Sequence, residues 1–113
     1  MYPADVSQDR PLDVFMAHMD VVFSDETELP LRVEDGRIYC PGVGDDTACL
    51  VCLLLAGKYI ARHVDSPSWR EIRGEDAPGL LLVCNAGEEG LGNLKGVRKI
   101  CEDYGGRIKS FCT

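Results

Sequence analysis

The sequence lacks any cluster of basic residues. Its 12 lysines and arginines are outnumbered by 19 aspartates and glutamates, which gives a formal net charge of −7. Nucleic-acid binding depends on clustered Lys and Arg side chains that neutralise phosphates, so the charge pattern argues against a nucleic-acid partner, and none is expected. The acidic surplus either serves solubility or groups some carboxylates around cations, and composition alone leaves both alternatives open.

Long apolar runs are also missing. The longest, residues 48–56, is far shorter than the ~20 residues that span a bilayer, and residues 1–12 lack the apolar stretch of a secretory signal. We therefore predict a cytoplasmic protein without a membrane partner.

The six cysteines do not form a pattern typical of disulfides or of a zinc site. Most of them lie in apolar stretches, and no secretion signal accompanies them, so reduced thiols in the core are expected. Cys49 and Cys52 form a C-x-x-C pair, but no second pair and no nearby His completes a zinc set. We interpret this pair as part of an apolar helix.

Strand-like and helix-like segments alternate along the chain, and 45% of its residues are hydrophobic, enough for a core. Apolar β-type runs predict strands, Asp-Gly predicts a hairpin turn, and 3.6-residue periodicity predicts helices. The predicted elements are a strand at 13–22, a hairpin at 31–33 and 37–40, a helix at 45–62, a strand at 80–86, a helix from a cap at Asn93 to Gly105-Gly106, and a strand at 107–112.

This order predicts the fold class. Strands that alternate with helices favour an α/β three-layer sandwich around a mainly parallel sheet, here in one domain. The helix at 45–62 is apolar nearly all round, which is typical of a buried helix. Residues 63–79 are polar and rich in Gly and Pro, so a long surface loop is expected there.

Three polar clusters follow apolar segments: His18-x-Asp20, Asp45-Asp46 and Glu88-Glu89. The carboxyl ends of parallel strands share one edge of a sheet, where ligand sites gather. We therefore expect His18, Asp45 and Glu89 to converge in one shallow pocket. Imidazole nitrogen and carboxylate oxygen are zinc ligands, and one carboxylate can bridge two metals about 3.5–4 Å apart.

Each cluster also has a simpler interpretation. His18 alone is more often a core histidine, Asp45 or Asp46 a helix N-cap, and Glu88-Glu89 a solvated turn. Together, at the ends of strands and beside several glycines, these alternatives weaken, because a charged pair after an apolar strand is costly to bury without a partner.

The motifs AHMDVV (17–22), PGVGDDTACL (41–50) and NAGEEGLGNLKG (85–96) resemble those of the two-zinc metallopeptidases that include peptidase T, the aminoacylases, succinyl-diaminopimelate desuccinylase and glutamate-type carboxypeptidases. HxD is weak by itself, whereas HxD, GxGDD and EEG in this order are specific. The resemblance covers nearly the whole chain apart from residues 63–79 and is closest to the peptidase T-like branch.

The resemblance implies a role for each matching residue. His18 matches a zinc ligand, Asp20 the carboxylate that orients this His, and Asp45 the carboxylate that bridges both metals. Glu88 matches the general base and Glu89 a terminal zinc ligand. Asp46 lies where the family varies, so it is expected to support the site or to cap the helix.

The chain also departs from the family's pattern. The family often has Lys-Gly where this chain has Thr47-Ala48, which indicates a distinct subgroup. The family needs a further acidic ligand after the strand that begins near Arg107, a His farther along, and usually a second domain for dimerisation and substrate closure. None of these is in the sequence, so residues 1–113 are expected to be a partial catalytic domain.

The resemblance implies hydrolysis of a peptide or an N-acyl amino acid at two Zn²⁺ ions, with cobalt or manganese as substitutes, by the parent enzyme. A first alternative is a folded fragment or remnant without turnover, and a second is an α/β binding domain without metal. Apolar surfaces left without their usual neighbours favour self-association, so a homo-oligomer is expected.

Overall fold

Five strands and three α-helices follow one another along residues 9–113, the part of the chain that the computed structural model describes. Short helical turns at Val43–Thr47, Gly90–Gly92 and Gly105–Arg107 join some of them. In chain order, the elements are β1 (Leu12–His18), β2 (Arg32–Glu34), β3 (Arg37–Tyr39), α1 (Ala48–His63), α2 (Pro67–Arg73), β4 (Gly79–Asn85), α3 (Lys95–Tyr104) and β5 (Ile108–Cys112).

The main sheet has three parallel strands in the order β4-β1-β5. The central strand, β1, pairs with β4 from Leu12↔Gly79 to His18↔Asn85 without a break. The β2-β3 hairpin forms a separate antiparallel pair. The predicted α/β fold with a mainly parallel sheet is thereby confirmed.

Helices cover the two faces of this sheet. On one face, Leu12, Val14 and Leu81 form the buried core, and Ile100 and Tyr104 of α3 pack against it. Alternate residues of a strand point to opposite faces, so the intervening residues of β1 and β4 face α1.

Helix α1 packs closely against the second face of the sheet. A β carbon at Gly57 of α1 would lie 3.2 Å from Cδ1 of Leu82. An apolar cavity of about 640 Å³ also lies between α1 and this face, next to Trp69 of α2.

The predicted hairpin is confirmed. Glu34 pairs with Arg37 across a two-residue turn, and Asp35 and Gly36 both have positive φ, 49° and 72°. Both central residues of a type I′ turn need positive φ, which Asp-Gly tolerates.

Two predicted segments need correction. The first strand ends at His18 rather than at residue 22, because the register of its partner β4 ends at Asn85 and only the N–H of Met19 still donates to the Asn85 carbonyl (2.9 Å). Residues 63–79 are not one loop, because they contain α2. The Ser66 hydroxyl accepts from the N–H of Trp69 and Pro67 follows, which together form a standard helix start.

The starts of the other two helices also differ from expectation. The α-helix α1 begins at Ala48, after a wider turn at Val43–Thr47 that includes Asp45 and Asp46 in non-helical conformations. Asn93 does not cap α3. It has left-handed geometry (φ 51°), Leu94 occupies the cap position, and no side chain caps the helix.

The prediction that α1 is buried is wrong for the described residues. None of its residues is buried, and Val51, Leu54, Leu55 and Tyr59 are exposed. Only one side of α1 meets the sheet, and residues 9–113 provide nothing that covers the other side.

The cysteines are free thiols, as expected, but they do not lie in the core. Five are exposed, and Cys40 is half-buried. Within residues 9–113, no single helix is both long and apolar enough to cross a membrane, although Val43–His63 and Pro67–Arg73, bent by 118° between them, satisfy such a test as a pair.

Candidate metal centre

His18, the last residue of β1, has its imidazole ring fixed from one side. Its side chain is 7% exposed, and Nδ1 lies 2.9 Å from the main-chain carbonyl oxygen of Asp20. A carbonyl only accepts hydrogen bonds, so Nδ1 carries the proton. The neutral ring then presents a lone pair at Nε2, the form in which His binds a metal.

Asp45 and Asp46 reach His18 at two different atoms. Asp45 Oδ1 lies 3.0 Å from His18 Nε2, whereas Asp46 Oδ2 accepts from the backbone N–H of His18 at 3.0 Å. The peptide bond between the two aspartates is cis. The Asp45 side chain is 81% exposed, so the site is open to solvent at this residue, while Asp46 ties the turn to the end of β1.

Asp46 also interacts with Cys49. A hydrogen bond with the Asp46 carboxylate raises the pKa of the Cys49 thiol. This effect disfavours the thiolate, which is the form that binds metals and attacks disulfides.

Glu88 and Glu89 lie on the loop that follows β4, and Asp20 holds this loop. The Asp20 carboxylate accepts from the N–H of Glu89 at 2.9 Å and from the N–H of Glu88 at 3.3 Å. Its Oδ1 is 3.8 Å from His18 Nδ1. Asp20 therefore faces His18 as the resemblance implied, but the ring is bonded to its carbonyl, and its carboxylate positions the two glutamates.

These bonds shift the acidity of Asp20. The N–H of Glu89 lowers its pKa below the usual 3.8, partial burial opposes this shift, and the N–H of Glu88 adds to it. Because the pKa is lower in the folded protein than in the unfolded chain, the ionised carboxylate stabilises the fold at pH values above the pKa of the unfolded chain. This stabilisation disappears as the pH falls through the pKa of the folded protein.

Replacing Asp20 with Asn is expected to destabilise the protein by about 1–3 kcal/mol, because Asn has a single acceptor oxygen: one of the two hydrogen bonds is lost, and the other no longer has an ionised acceptor. Metal affinity should fall about 10–100-fold, the usual effect of changing a residue that positions metal ligands. Chemical denaturation and metal titration measure these effects, with the exposed Asp25→Asn as the matched control. Equal stability of both variants would contradict this role for Asp20.

Three of the predicted ligands converge. Donor atoms of His18, Asp45 and Glu89 all lie within 4.8 Å of one another, although the residues come from the end of β1, the turn before α1 and the loop after β4. Glu88 is beside them, with Oε2 3.8 Å from His18 Nε2. The structure thus brings the five predicted site residues into one neighbourhood at the carboxyl edge of the sheet.

The acidic side chains around His18 shift the pKa of its imidazole ring. Burial lowers its pKa, but the bonds to the Asp45 carboxylate and the Asp20 carbonyl, with the nearby charges of Glu88 and Asp46, outweigh burial and raise the pKa above 6.5. Because the pKa is higher in the folded protein than in the unfolded chain, the protonated ring stabilises the fold at pH values below the pKa of the unfolded chain. This stabilisation disappears as the pH rises through the pKa of the folded protein.

The free energy of unfolding of the metal-free protein is therefore expected to fall as the pH rises from about 6 to about 8. Denaturation at several pH values measures this dependence. The sequence has only two histidines, so His63→Gln is the matched control. His18→Gln should remove the dependence and His63→Gln should keep it, and the reverse result would contradict the account.

The donor set fits a divalent metal. With Nδ1–H donated to Asp20, the Nε2 lone pair of a neutral His18 points at the carboxylate oxygen of Asp45, and two lone pairs repel each other unless a proton or another cation lies between them. One imidazole nitrogen with carboxylate oxygens is a zinc-type ligand set. Of the described residues, three then offer ligands directly, which is fewer than two metals need.

One polar residue of this neighbourhood was not predicted. Asn85, the last residue of β4, is 6% exposed and pairs with His18 in the sheet register. The sequence did hold a signal, because position 85 falls on the inward face after Leu81 and Val83, where an apolar residue is expected.

Comparison with models of known protein families shows the family of the chain. The model of peptidase family M20/M25/M40 matches residues 14–111. The chain belongs to this family. The M20/M25/M40 family comprises metal-dependent peptidases and related hydrolases, which generally bind zinc or similar metals. Comparisons with curated proteins and with solved structures gave no significant match.

Proposed function

We propose that this M20/M25/M40 chain is the metal-binding part of an enzyme that hydrolyses peptide or N-acyl amide bonds at a pair of divalent metals, most simply zinc. The observation that carries the proposal is the convergence of His18, Asp45 and Glu89 donor atoms within 4.8 Å. Glu88 beside this group supplies a proton acceptor that need not be a ligand.

The roles of the side chains follow from their positions. His18, at the end of β1, and Glu89, on the loop after the neighbouring strand β4, would hold the metals. Asp45, whose carboxylate is the most exposed of the three, would be the ligand shared between them. When bound, such a metal pair polarises the scissile carbonyl and lowers the pKa of the attacking water. Glu88 accepts the proton of this water and delivers it to the leaving amine. Asp20 keeps both glutamates in place through their N–H groups.

The motifs further favour the peptidase T-like branch of the family, on the order HxD, GxGDD, EEG. We also propose that residues 1–113 form a partial catalytic domain, because catalytic zinc usually takes three protein ligands, whereas His18, Asp45 and Glu89 give each of two metals about two.

The same ligand count favours a second candidate, which is a folded metal-binding chain without turnover. The test is an assay of the 113-residue chain, and of any longer reading frame that contains it, with zinc, cobalt or manganese against di- and tripeptides and N-acyl amino acids. We expect metal-dependent hydrolysis by the longer protein and none at a useful rate by the 113-residue chain.

The other outcomes discriminate between the candidates. Clear turnover by the 113-residue chain would show that the three ligands are sufficient and that the ligand count was misread. Metal binding without hydrolysis in the longer protein would favour the second candidate.

A further inference from the structure

One buried polar side chain near the metal centre has no role in the proposed chemistry. Neither Oδ1 nor Nδ2 of Asn85 has a hydrogen-bond partner among the described residues. Burying an amide in this state costs free energy. A Val or Leu, such as those at 83 and 81 on the same face of β4, would avoid this cost, so the amide needs a reason for its position.

The register places Asn85 directly beside the ligand on the neighbouring strand. His18↔Asn85 is the last pair between β1 and β4. Paired residues of parallel strands point to the same face, and adjacent strands lie about 4.8 Å apart. These two are also the buried polar residues of the described chain, so they form a polar pair at the end of an otherwise apolar face of the sheet.

The Asn85 amide contacts the first turn of α3 at Gly96. A β carbon at Gly96 would lie 2.5 Å from Asn85 Nδ2 and 2.6 Å from its Cβ, so any larger residue would push α3 away from β4. Glycine is itself unfavourable inside a helix. Asn85 and Gly96, each of which is unfavourable for stability, are therefore in contact. This contact sets how closely α3 approaches the end of β4.

The first turn of α3 in turn holds the loop that carries the glutamates. The N–H of Lys95 donates to the Gly87 carbonyl at 2.9 Å, and the N–H of Leu94 donates to the Glu88 carbonyl at 3.4 Å. The position of this turn therefore determines where Glu88 and Glu89 lie relative to His18. Asp20 holds the same loop from the opposite side.

We propose that Asn85 is a positioning residue of the metal centre, which sets the separation between β4 and the first turn of α3 and thereby the position of the Glu88–Glu89 loop relative to His18. The amide oxygen of Asn85 can accept a hydrogen bond from the N–H of Gly96 or Val97, which have no acceptor inside the helix, when the loop closes on a cation. A side chain of Val or Leu cannot. The inference rests on the proposed metal-binding function.

The test compares Asn85→Leu, similar in size and apolar, with Asn85→Thr, which keeps a polar group, and with Val83→Ala as a structural control on the same face. Cobalt(II) affinity, the visible cobalt(II) spectrum and the unfolding midpoint of the metal-free protein are measured for each. Asn85→Leu should keep or raise the midpoint, lower cobalt affinity about 10–100-fold and shift the spectrum. Asn85→Thr should recover part of the affinity, and Val83→Ala should lower only the midpoint.

Cobalt affinity of Asn85→Leu within about twofold of the unaltered chain, with an unchanged spectrum, would overturn the role of Asn85 alone, since the proposal requires an effect in the range for residues that position ligands. If Asn85→Leu does not fold, Asn85→Ala removes the amide without adding bulk, and unchanged affinity there has the same meaning. Absence of cobalt binding by the unaltered chain would overturn the metal centre itself and this inference with it.

Discussion

Replacing Glu88 with Gln in the proposed longer enzyme is expected to lower the rate of amide hydrolysis about 10²–10⁴-fold, the usual effect of removing a general base. Gln keeps the size and polarity of Glu but cannot accept the proton. Metal content and folding should stay the same, because the main-chain N–H of Glu88 still donates to Asp20 and the three converging donors do not include Glu88.

The experiment combines kinetics with metal analysis on the same preparations, and Glu89→Gln is the matched control on the adjacent residue. Glu89→Gln should lose metal, whereas Glu88→Gln should lose only turnover. If Glu88→Gln loses metal and Glu89→Gln keeps it, the roles of the two glutamates have been exchanged in our assignment.

Replacing Asp45 with Asn is expected to weaken metal binding by more than the roughly 10–100-fold typical of residues that only position ligands. Asn keeps one oxygen but loses the negative charge and the second oxygen that a bridging ligand needs. Asp45 is also the candidate ligand most open to solvent, so its replacement should disturb folding least. Competition titration with a zinc-binding dye measures the affinity, and circular dichroism checks the fold.

Asp46→Asn is the matched control for this experiment. Asp46 Oδ2 accepts from the backbone N–H of His18, a bond that an Asn side-chain oxygen can replace. Its effect on metal affinity should therefore be much smaller than that of Asp45→Asn. Equal losses in the two variants would contradict the assignment of Asp45 as the ligand and Asp46 as its support.

Local sequence patterns predicted most of the fold. The strands at β1 and β4, the Asp35-Gly36 turn and the start of β5 all carry signals within a few residues, and the parallel order follows from alternation of strand and helix. The α2 helix was not predicted although Ser66-Pro67 is a recognisable start, because the polar, Gly- and Pro-containing composition of residues 63–79 is equally typical of a loop.

Features that depend on distant segments could not be predicted in this way. Strand β1 ends where its partner β4 ends. Their last register pair, His18↔Asn85, joins residues that are 67 positions apart in the sequence. The neighbourhood of His18, Asp45 and Glu89 followed from the rule for strand ends, but the bonds of Asp46 to the His18 backbone and of Asp20 to the Glu88–Glu89 loop depend on how two turns meet. No sequence pattern in the chain specifies those contacts.

The proposed function depends most on the binding of a divalent metal by His18, Asp45 and Glu89. Anomalous X-ray diffraction at the zinc edge, from crystals of the chain grown with zinc, tests it directly. We predict a peak about 2.0–2.2 Å from His18 Nε2 and from carboxylate oxygens of Asp45 and Glu89. Zinc bound only elsewhere, for example at Cys49 and Cys52, or no peak beside His18 at saturating zinc, would contradict the account.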